Sequence, residues 1–401
     1  MSNIIYNKFK IFLLAYLLYI SISSFIFLGD TYLLETNNSM AEWVINYKGG
    51  FGRRGLLGEL FANLSLLTKI HLKTVILFFL FFLILTYHIV VFNFLKDINF
   101  NIYFILIILS PLFVIFPVAE LEALGRKDIL IPFSFLIFCF FYEKAKIWLL
   151  FLILLLIYTV LILTHEVSIF YLPFFYLIIF FKIKHFNIYN ILIFALISFY
   201  FLLLIFFLIK FNHTDQSIYK MCEILKNEFN TICGLGAYVL NRTLSENIAE
   251  LFPMHFYDLI RGLWIYLIGS VGLIILLFNI EKDIFFKIHF LKYVKFNYIF
   301  FILFLFSIIP FFIAVDWGRW FNISYTMLIF FFIFCYKNKI FILKKEINIF
   351  SLNFFEKNLF LFSIMLFVLT FSWNPKAIHK DDIGSIPIYR ITTKIFKILN
   401  N

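Results

Sequence analysis

One short segment of the chain concentrates residues that can bind an anion. It runs from Lys48 to Gly55 with the sequence KGGFGRRG, so four of its eight residues are glycine and three, Lys48, Arg53 and Arg54, are basic. Glycine lets backbone N–H groups approach a ligand closely, and a guanidinium group offers two parallel donors to phosphate or carboxylate. We therefore expect this segment to bind a phosphate. The alternative is a flexible interfacial turn whose basic side chains meet lipid headgroups.

A second charged segment, ELEALGRKD, extends from Glu120 to Asp128. Arg126, Lys127 and Asp128 lie at the start of an apolar run, where a charge is costly and is usually functional or paired. We interpret these three residues as substrate-binding groups at the mouth of a cavity. The alternative is a structural pair that joins Arg126 to Glu122 or to Asp128.

Four residues are candidates for proton transfer. His165 and Glu166 form a short break between two apolar runs, and a histidine beside a carboxylate suits either proton transfer or an ion pair with an arginine. The plainer interpretation of His165 is a helix cap or an interfacial anchor. Asp30, where the first apolar run ends, and Glu35 are the other candidate catalytic residues. The sequence leaves open which of the four is the base.

The break DWGRW holds two charges and two tryptophans between apolar runs. Asp316 and Arg319 must satisfy each other or a ligand, and we assign both to substrate binding. Trp317 and Trp320 are either interfacial belt residues or platforms on which a sugar ring stacks.

Cys222 and Cys233 share one large polar loop, residues 211–258, whereas the other two cysteines lie inside apolar runs. A disulfide between them is plausible if the compartment is oxidising. We expect this loop to form a lid, or a partly helical cap, over a cavity.

The composition excludes a soluble globular protein. Of 401 residues, 63% are hydrophobic and 14% are charged, against about 25% charged in an average soluble domain. The net charge of +11 does not indicate nucleic acid as a partner, because such a binder needs a solvated surface. We predict an all-α polytopic membrane protein, with residues 1–401 as a single transmembrane domain. The eleven predicted spans lie near 11–29, 74–95, 102–118, 129–142, 147–164, 168–181, 188–210, 259–280, 297–315, 320–336 and 358–373.

The charges of the loops predict the orientation. With the N-terminus in the cytoplasm, the inner loops carry a net charge of about +10 and the outer segments about +1, as the positive-inside rule requires. The C-terminal tail, residues 374–401, then lies outside. All seven arginines fall on the outer side, where guanidinium is preferred over lysine for binding phosphate or carboxylate. We expect the first outer loop, residues 30–73, to contain a surface helix over 39–47.

The layout resembles the GT-C superfamily of integral membrane glycosyltransferases, in which the first span ends at an acidic residue and an outer loop with a surface helix follows. The segments NYKGGFGRRGLLGE, GRKD, HE and DWGRW are also similar to those of Wzy-type polymerases, which join the repeat units of bacterial surface polysaccharides. Only Asp30 matches the usual acidic pair of the GT-C enzymes.

This resemblance implies a polyprenyl-diphosphate-linked oligosaccharide as the substrate, acted on at the outer face of the bacterial inner membrane. It also implies contact with membrane lipids, a chain-length regulator as a partner, and no cofactor or metal. Two alternatives stay open: a transferase of single sugars from a polyprenyl-phosphate carrier, and a transporter or flippase for an anionic lipid-linked glycan. The polar residues lie on one side of the membrane, and the sequence has no internal repeat, which favours an enzyme over a transporter.

Overall fold

The computed structural model describes residues 2–32, 38–98, 102–183, 187–238, 240–251, 256–283, 295–314, 316–344 and 386–400, together with 361, 364, 368, 373, 375 and 376. This part of the chain is almost entirely helical. Five of its helices are long and apolar enough to cross a membrane. The chain is therefore an all-α membrane protein, as its composition predicts. The five helices are Phe9–Tyr32, Leu72–Leu95, Ile147–Thr164, Ile188–Lys210 and Trp317–Lys337.

The elements follow one another with short connections. The α-helices are α1 (Ser2–Tyr32), α2 (Asn38–Ala41), α3 (Leu56–Thr68), α4 (Leu72–Leu95), α5 (Ile102–Ile108), α6 (Phe116–Ala119), α7 (Leu130–Lys144), α8 (Ile147–Thr164), α9 (Leu172–Lys182), α10 (Ile188–Lys210), α11 (Asp215–Phe229), α12 (Leu235–Tyr238), α13 (Leu244–Leu251), α14 (Phe256–Phe278), α15 (Phe296–Ile308), α16 (Trp317–Lys337) and α17 (Pro387–Leu399). Short 3-10 helices are Lys127–Ile129, Glu166–Tyr171 and Ile309–Phe312. Two strands that the sequence did not predict, β1 (Ile280–Asp283) and β2 (Phe341–Leu343), pair antiparallel, with Ile280 opposite Leu343.

Ten of the eleven predicted spans overlap these helices. Proline accounts for some of the differences in length, because it lacks the N–H group that a continuing helix needs. Pro111 interrupts the predicted span 102–118, where α5 stops and α6 is a single turn, and Pro173 lies where a 3-10 segment passes into α9. The predicted span 358–373 lies almost wholly outside the described residues.

The chain divides into two compact units. The first consists of Met1–Ser23, Phe92–Leu121 and Glu250–Asn401, and its centre is α16. From Trp317 to Cys335 every residue of this helix except Asn322 is buried, including the polar Arg319, Ser324 and Thr326. The Asn322 amide donates to the carbonyl oxygens of Leu112 and Phe113. These two carbonyl groups lie in the irregular segment between α5 and α6. Lipid offers no hydrogen-bond donor, so they need a partner from the protein.

The second unit consists of Ser24–Val91 and Glu122–Ala249. Within it α7, α8 and α9 pack against one another, and α3 packs against α8. Helix α10 exposes large apolar side chains along its length, such as Leu196, Leu202 and Phe206. Such an exposed apolar surface is stable in lipid, not in water.

The predicted surface helix over 39–47 is wrong in its position. Helix α2 ends at Ala41, and the following residues form turns. One reason is Asn46, whose side chain bonds the backbone of Val44 and Lys48 and so competes with helical hydrogen bonds. The residues from Met40 to Asn46 are also buried. The helix that exposes a stripe of leucines in this loop is instead α3.

Candidate functional site

The carboxylate of Glu166 binds both arginines of the glycine-rich segment. Arg54 donates from Nε to Oε2 over 2.9 Å and from Nη2 to Oε1 over 2.7 Å, which is a bidentate pair. Arg53 reaches Oε1 from Nη1 over 3.3 Å. Burial alone would raise the pKa of Glu166, but Arg54 and Arg53 outweigh burial and hold this pKa well below the ordinary carboxyl value. Glu166 is therefore ionised at neutral pH and forms the centre of a charged cluster.

The glycines of this segment allow close packing. A Cβ atom on Gly52 would lie 2.3 Å from Nε2 of His213, and one on Gly58 would lie 1.8 Å from the carbonyl oxygen of Ile45. No side chain fits at either position. His213 in turn lies 3.2 Å from the carbonyl oxygen of Arg53, which fixes the backbone of the arginine pair. Close packing thus accounts for these glycines without a bound anion.

Lys127 is completely buried behind the arginine pair. Its ammonium group donates to the carbonyl oxygen of Arg54 over 2.8 Å and lies 5.8 Å from the centre of the Trp43 ring. Burial disfavours the charged form, and the nearby carboxylates of Glu42 and Glu166 offset it only in part. The pKa of Lys127 falls to about 7 as a result. Lys127 therefore releases its proton more readily than an exposed lysine.

Arg126 pairs with a carboxylate that comes from a distant part of the sequence. Its Nη1 atom lies 2.7 Å from Oε1 of the buried Glu42, and its Nε atom donates to the carbonyl oxygen of Glu122. Of the two structural pairs considered from the sequence, the one with Glu122 forms through its carbonyl oxygen, whereas Asp128 pairs with His165 instead. Glu42 is 84 residues away in sequence, so local spacing gives no sign of it.

His165 and Asp128 form a buried pair beside the arginine cluster. Nε2 of His165 lies 2.8 Å from Oδ1 of Asp128, and the histidine is 1% exposed. His165 caps α8, and the next residue, Glu166, opens a 3-10 helix. Two neighbouring side chains thus point to different partners, one to Asp128 and the other to the arginines.

The loop 211–242 covers the glycine-rich segment. Helix α11 begins with a capping box at Thr214 and Ser217, and Lys48 forms a salt bridge of 3.3 Å with Glu228 on this helix. The structure joins Cys222 to Cys233, with Cα atoms 5.3 Å apart. Farther along, the carbonyl oxygens of Leu240 and Arg242 accept hydrogen bonds from Arg53. The residues of this loop therefore help to position an arginine of the cluster.

The DWGRW residues lie in the other unit. Arg319 forms a salt bridge with Asp316, and its guanidinium carbon lies 5.2 Å from the centre of the Trp320 ring. The Trp317 indole donates to the carbonyl oxygen of Phe311 over 3.0 Å. Both tryptophans are buried in this structure, so neither ring offers an open face to a sugar. A role in sugar stacking would require Trp317 and Trp320 to become exposed.

Two candidate catalytic residues are not part of the cluster. Asp30 lies in the last turn of α1 and is only partly buried, and none of the described residues forms a hydrogen bond with its carboxylate. Glu35 lies outside the described residues. The structure therefore brings together the basic segments and the His165–Glu166 pair, but not all four carboxylate and histidine candidates.

The unit 2 cluster, as we name it, consists of Glu42, Arg53, Arg54, Arg126, Lys127, Asp128, His165 and Glu166. Arg53 and Arg54 bind Glu166, Arg126 binds Glu42, and His165 pairs with Asp128. Lys127 is buried beside them. The sequence alone does not single out Glu42 or His213; the signal for Glu42 is an acidic residue inside an apolar stretch. Within the described residues, no group of three or more His, Cys, Asp or Glu side chains is placed to hold a metal ion.

No protein-family model, curated protein or solved structure matches this chain. Its function is therefore inferred from its own residues.

Proposed function

We propose that this protein is a membrane glycosyltransferase that polymerises or transfers oligosaccharide from a polyprenyl-diphosphate carrier. The observation that carries the proposal is the convergence of three charged segments in the unit 2 cluster. Arg54 meets Glu166 across 112 residues of sequence, and His165 meets Asp128 across 37. Only 14% of the residues are charged, yet many of these charges lie together at one buried place. Because buried charges in a membrane protein are costly, we expect this group to bind a substrate or to take part in catalysis.

The cluster suits an anion that exchanges with a carboxylate. Glu166 accepts the bidentate hydrogen bonds of Arg54 in the same geometry that a phosphate group takes. In our proposal Glu166 holds the two arginines in place until a lipid diphosphate binds them. The diphosphate then becomes the leaving group of the transfer, and the guanidinium groups stabilise its growing negative charge.

We also propose the orientation and the number of spans. The charge bias of the loops supports a cytoplasmic N-terminus and an outer C-terminus across eleven spans. The unit 2 cluster would then lie at the outer, periplasmic face of a bacterial inner membrane. A disulfide between Cys222 and Cys233 agrees with an oxidising compartment on that side.

The test is an assay on purified protein in detergent, with polyprenyl-diphosphate-linked repeat units as the substrate and a gel of the glycans as the readout. We expect a ladder of lengths from the unaltered chain. Arg53→Ala, Arg54→Ala, Arg126→Ala and Arg319→Ala should each abolish the ladder, whereas Lys144→Ala, an exposed lysine, should retain it.

A single added sugar, formed only when a polyprenyl-phosphate-sugar is supplied, would identify the single-sugar transferase instead. Unchanged glycan, with substrate moved across the membrane of vesicles, would identify a transporter. Either result would overturn the proposed polymerisation.

A further inference from the structure

The contact with Asp128 determines the tautomer of His165. An ionised carboxylate can only accept hydrogen bonds, so Nε2, which lies 2.8 Å from Oδ1 of Asp128, carries the proton. In the neutral ring the other nitrogen, Nδ1, then holds the lone pair that can accept a proton. Asp128 thereby determines which nitrogen of His165 is basic.

The basic nitrogen is buried and unused. None of the described residues forms a hydrogen bond with Nδ1 of His165, although the atom is shielded from solvent. Buried polar atoms are rarely left in this condition, and those that are need an explanation such as a ligand or a catalytic role. Nδ1 is therefore the ring atom on which a substrate group could act.

Two hydroxyl groups next to His165 share this condition. Within the described part of the chain, the side chains of Thr164 and Ser168 are buried and have no hydrogen-bond partner. Other threonines in the spanning helices behave differently: Thr86 and Thr159 donate to the carbonyl oxygen four residues earlier. The turn 164–168 thus holds two hydroxyl groups and one basic nitrogen that lack partners among the described residues. Like the two tryptophans, these groups contact a sugar only if the turn becomes accessible.

Glu166, the other candidate base in this turn, is already bound to two arginines. Arg53 and Arg54 keep its pKa well below the ordinary value, so it is a poor proton acceptor.

We propose that His165 is the general base of the transfer and that Asp128 is its positioning residue. This inference rests on the proposed function. Nδ1 removes the proton from a hydroxyl group of the acceptor sugar, and the oxygen forms a bond to the anomeric carbon of the donor. The bond from that carbon to the diphosphate oxygen breaks, and its electron pair leaves with the diphosphate held by the arginines.

The experiment compares His165→Gln and His165→Gly with the unaltered chain in the glycan assay, with and without added imidazole. His71→Gly serves as the control, because His71 is exposed in the connection between α3 and α4. A general base contributes about 10²- to 10⁴-fold, so we expect both His165 variants to lose at least about 100-fold. Imidazole should restore His165→Gly at least tenfold, should not help His165→Gln, and should leave the control unchanged.

The two ways of failing are distinct. If His165→Gln keeps activity within threefold of the unaltered chain, the base assignment is overturned while the proposed function stands. A folded His165→Gly variant that loses activity and is not rescued by imidazole also overturns it, because a purely structural histidine would behave in that way. An inactive unaltered chain overturns the proposed function and the base assignment together. Elution as a single species on size exclusion checks that each variant is folded.

Discussion

At the scale of single residues, at least five of the six arginines whose side chains the structure describes form a salt bridge with a carboxylate of the same chain. The seven arginines predict anion binding, and the carboxylates that five of them bind are Glu166, Glu42, Asp316 and Glu120. Residue types alone could predict that arginine meets an anion. They could not predict which anion, because Glu166 and Glu42 come from distant parts of the sequence and only the fold brings them close.

Lys127 gives a prediction about pH at this scale. Its pKa is about 7 in the folded chain and about 10.5 when exposed, so between these values the unfolded state binds more protons. Stability that depends on Lys127 therefore rises with pH in this window, by at most about 1.4 kcal/mol per pH unit. We expect Lys127→Met to gain most over the unaltered chain below pH 7 and to lose this advantage towards pH 10.

The measurement is the melting temperature in detergent at pH 6, 8 and 9.5. Lys144→Met, which removes an exposed lysine, is the matched control and should follow the unaltered chain at every pH. A constant difference between Lys127→Met and the unaltered chain across this range would contradict the account of Lys127.

At the scale of elements, apolar runs predict where helices lie, but tertiary contacts determine the conformation of the segments that connect them. The predicted surface helix failed because Trp43 and Glu42 turn inward, where the Trp43 indole donates to the carbonyl oxygen of Gly125. The hydrophobic periodicity and the composition of a segment carry no information about partners that lie far away in the sequence, such as Gly125 for Trp43. The same holds for the glycine-rich segment, whose glycines indicate an anion loop from sequence and close packing in the structure.

Gly58 tests this packing. A Cβ atom there would collide with the carbonyl oxygen of Ile45 at 1.8 Å, and backbone atoms cannot move aside cheaply. We expect Gly58→Ala to destabilise the chain by about 2–4 kcal/mol, in the range of strained or overpacked core positions. Gly29→Ala is the control, because nothing lies within 4 Å of its Cβ and alanine favours a helix. Equal thermal stability of the two variants would show that α3 is not packed against residues 43–45.

The disulfide of the 211–242 loop can be tested by counting thiols. The chain has four cysteines, of which Cys139 and Cys335 are free and buried. We expect a maleimide to label two thiols in denatured, unreduced protein and four after reduction. Loss of the bond in Cys222→Ser should lower stability by about 2–3 kcal/mol for a loop of this length. Four reactive thiols without reduction would contradict the bond.

At the scale of the whole molecule, the fold class follows from composition, whereas the number of spans does not. Five described helices reach the length of a membrane crossing, and proline or 3-10 turns shorten several others. Hydropathy counts apolar residues but cannot tell a spanning helix from one interrupted beside buried protein.

The orientation gives a prediction that labelling can check. Ser245 and Lys146 are both exposed in the structure and fall on opposite sides of the membrane in our proposal. In a background without Cys139 and Cys335, Ser245→Cys should react with a membrane-impermeant maleimide on intact spheroplasts. Lys146→Cys should react only after the membrane is permeabilised. The reverse labelling pattern would mean that the membrane orientation is opposite to the proposed one and that the arginines face the cytoplasm.

The most direct test of the proposed exchange at Glu166 is the binding of a short polyprenyl diphosphate, farnesyl diphosphate, to purified protein. If the diphosphate replaces Glu166 on Arg53 and Arg54, Arg54→Gln should bind at least about tenfold more weakly, a loss of about 1.4 kcal/mol. Glu166→Gln should bind more tightly, because the competing carboxylate is gone, and Lys146→Gln should match the unaltered chain. Equal affinity of the unaltered chain, Arg54→Gln and Glu166→Gln would mean that the cluster is a structural ion-pair network and not a diphosphate site.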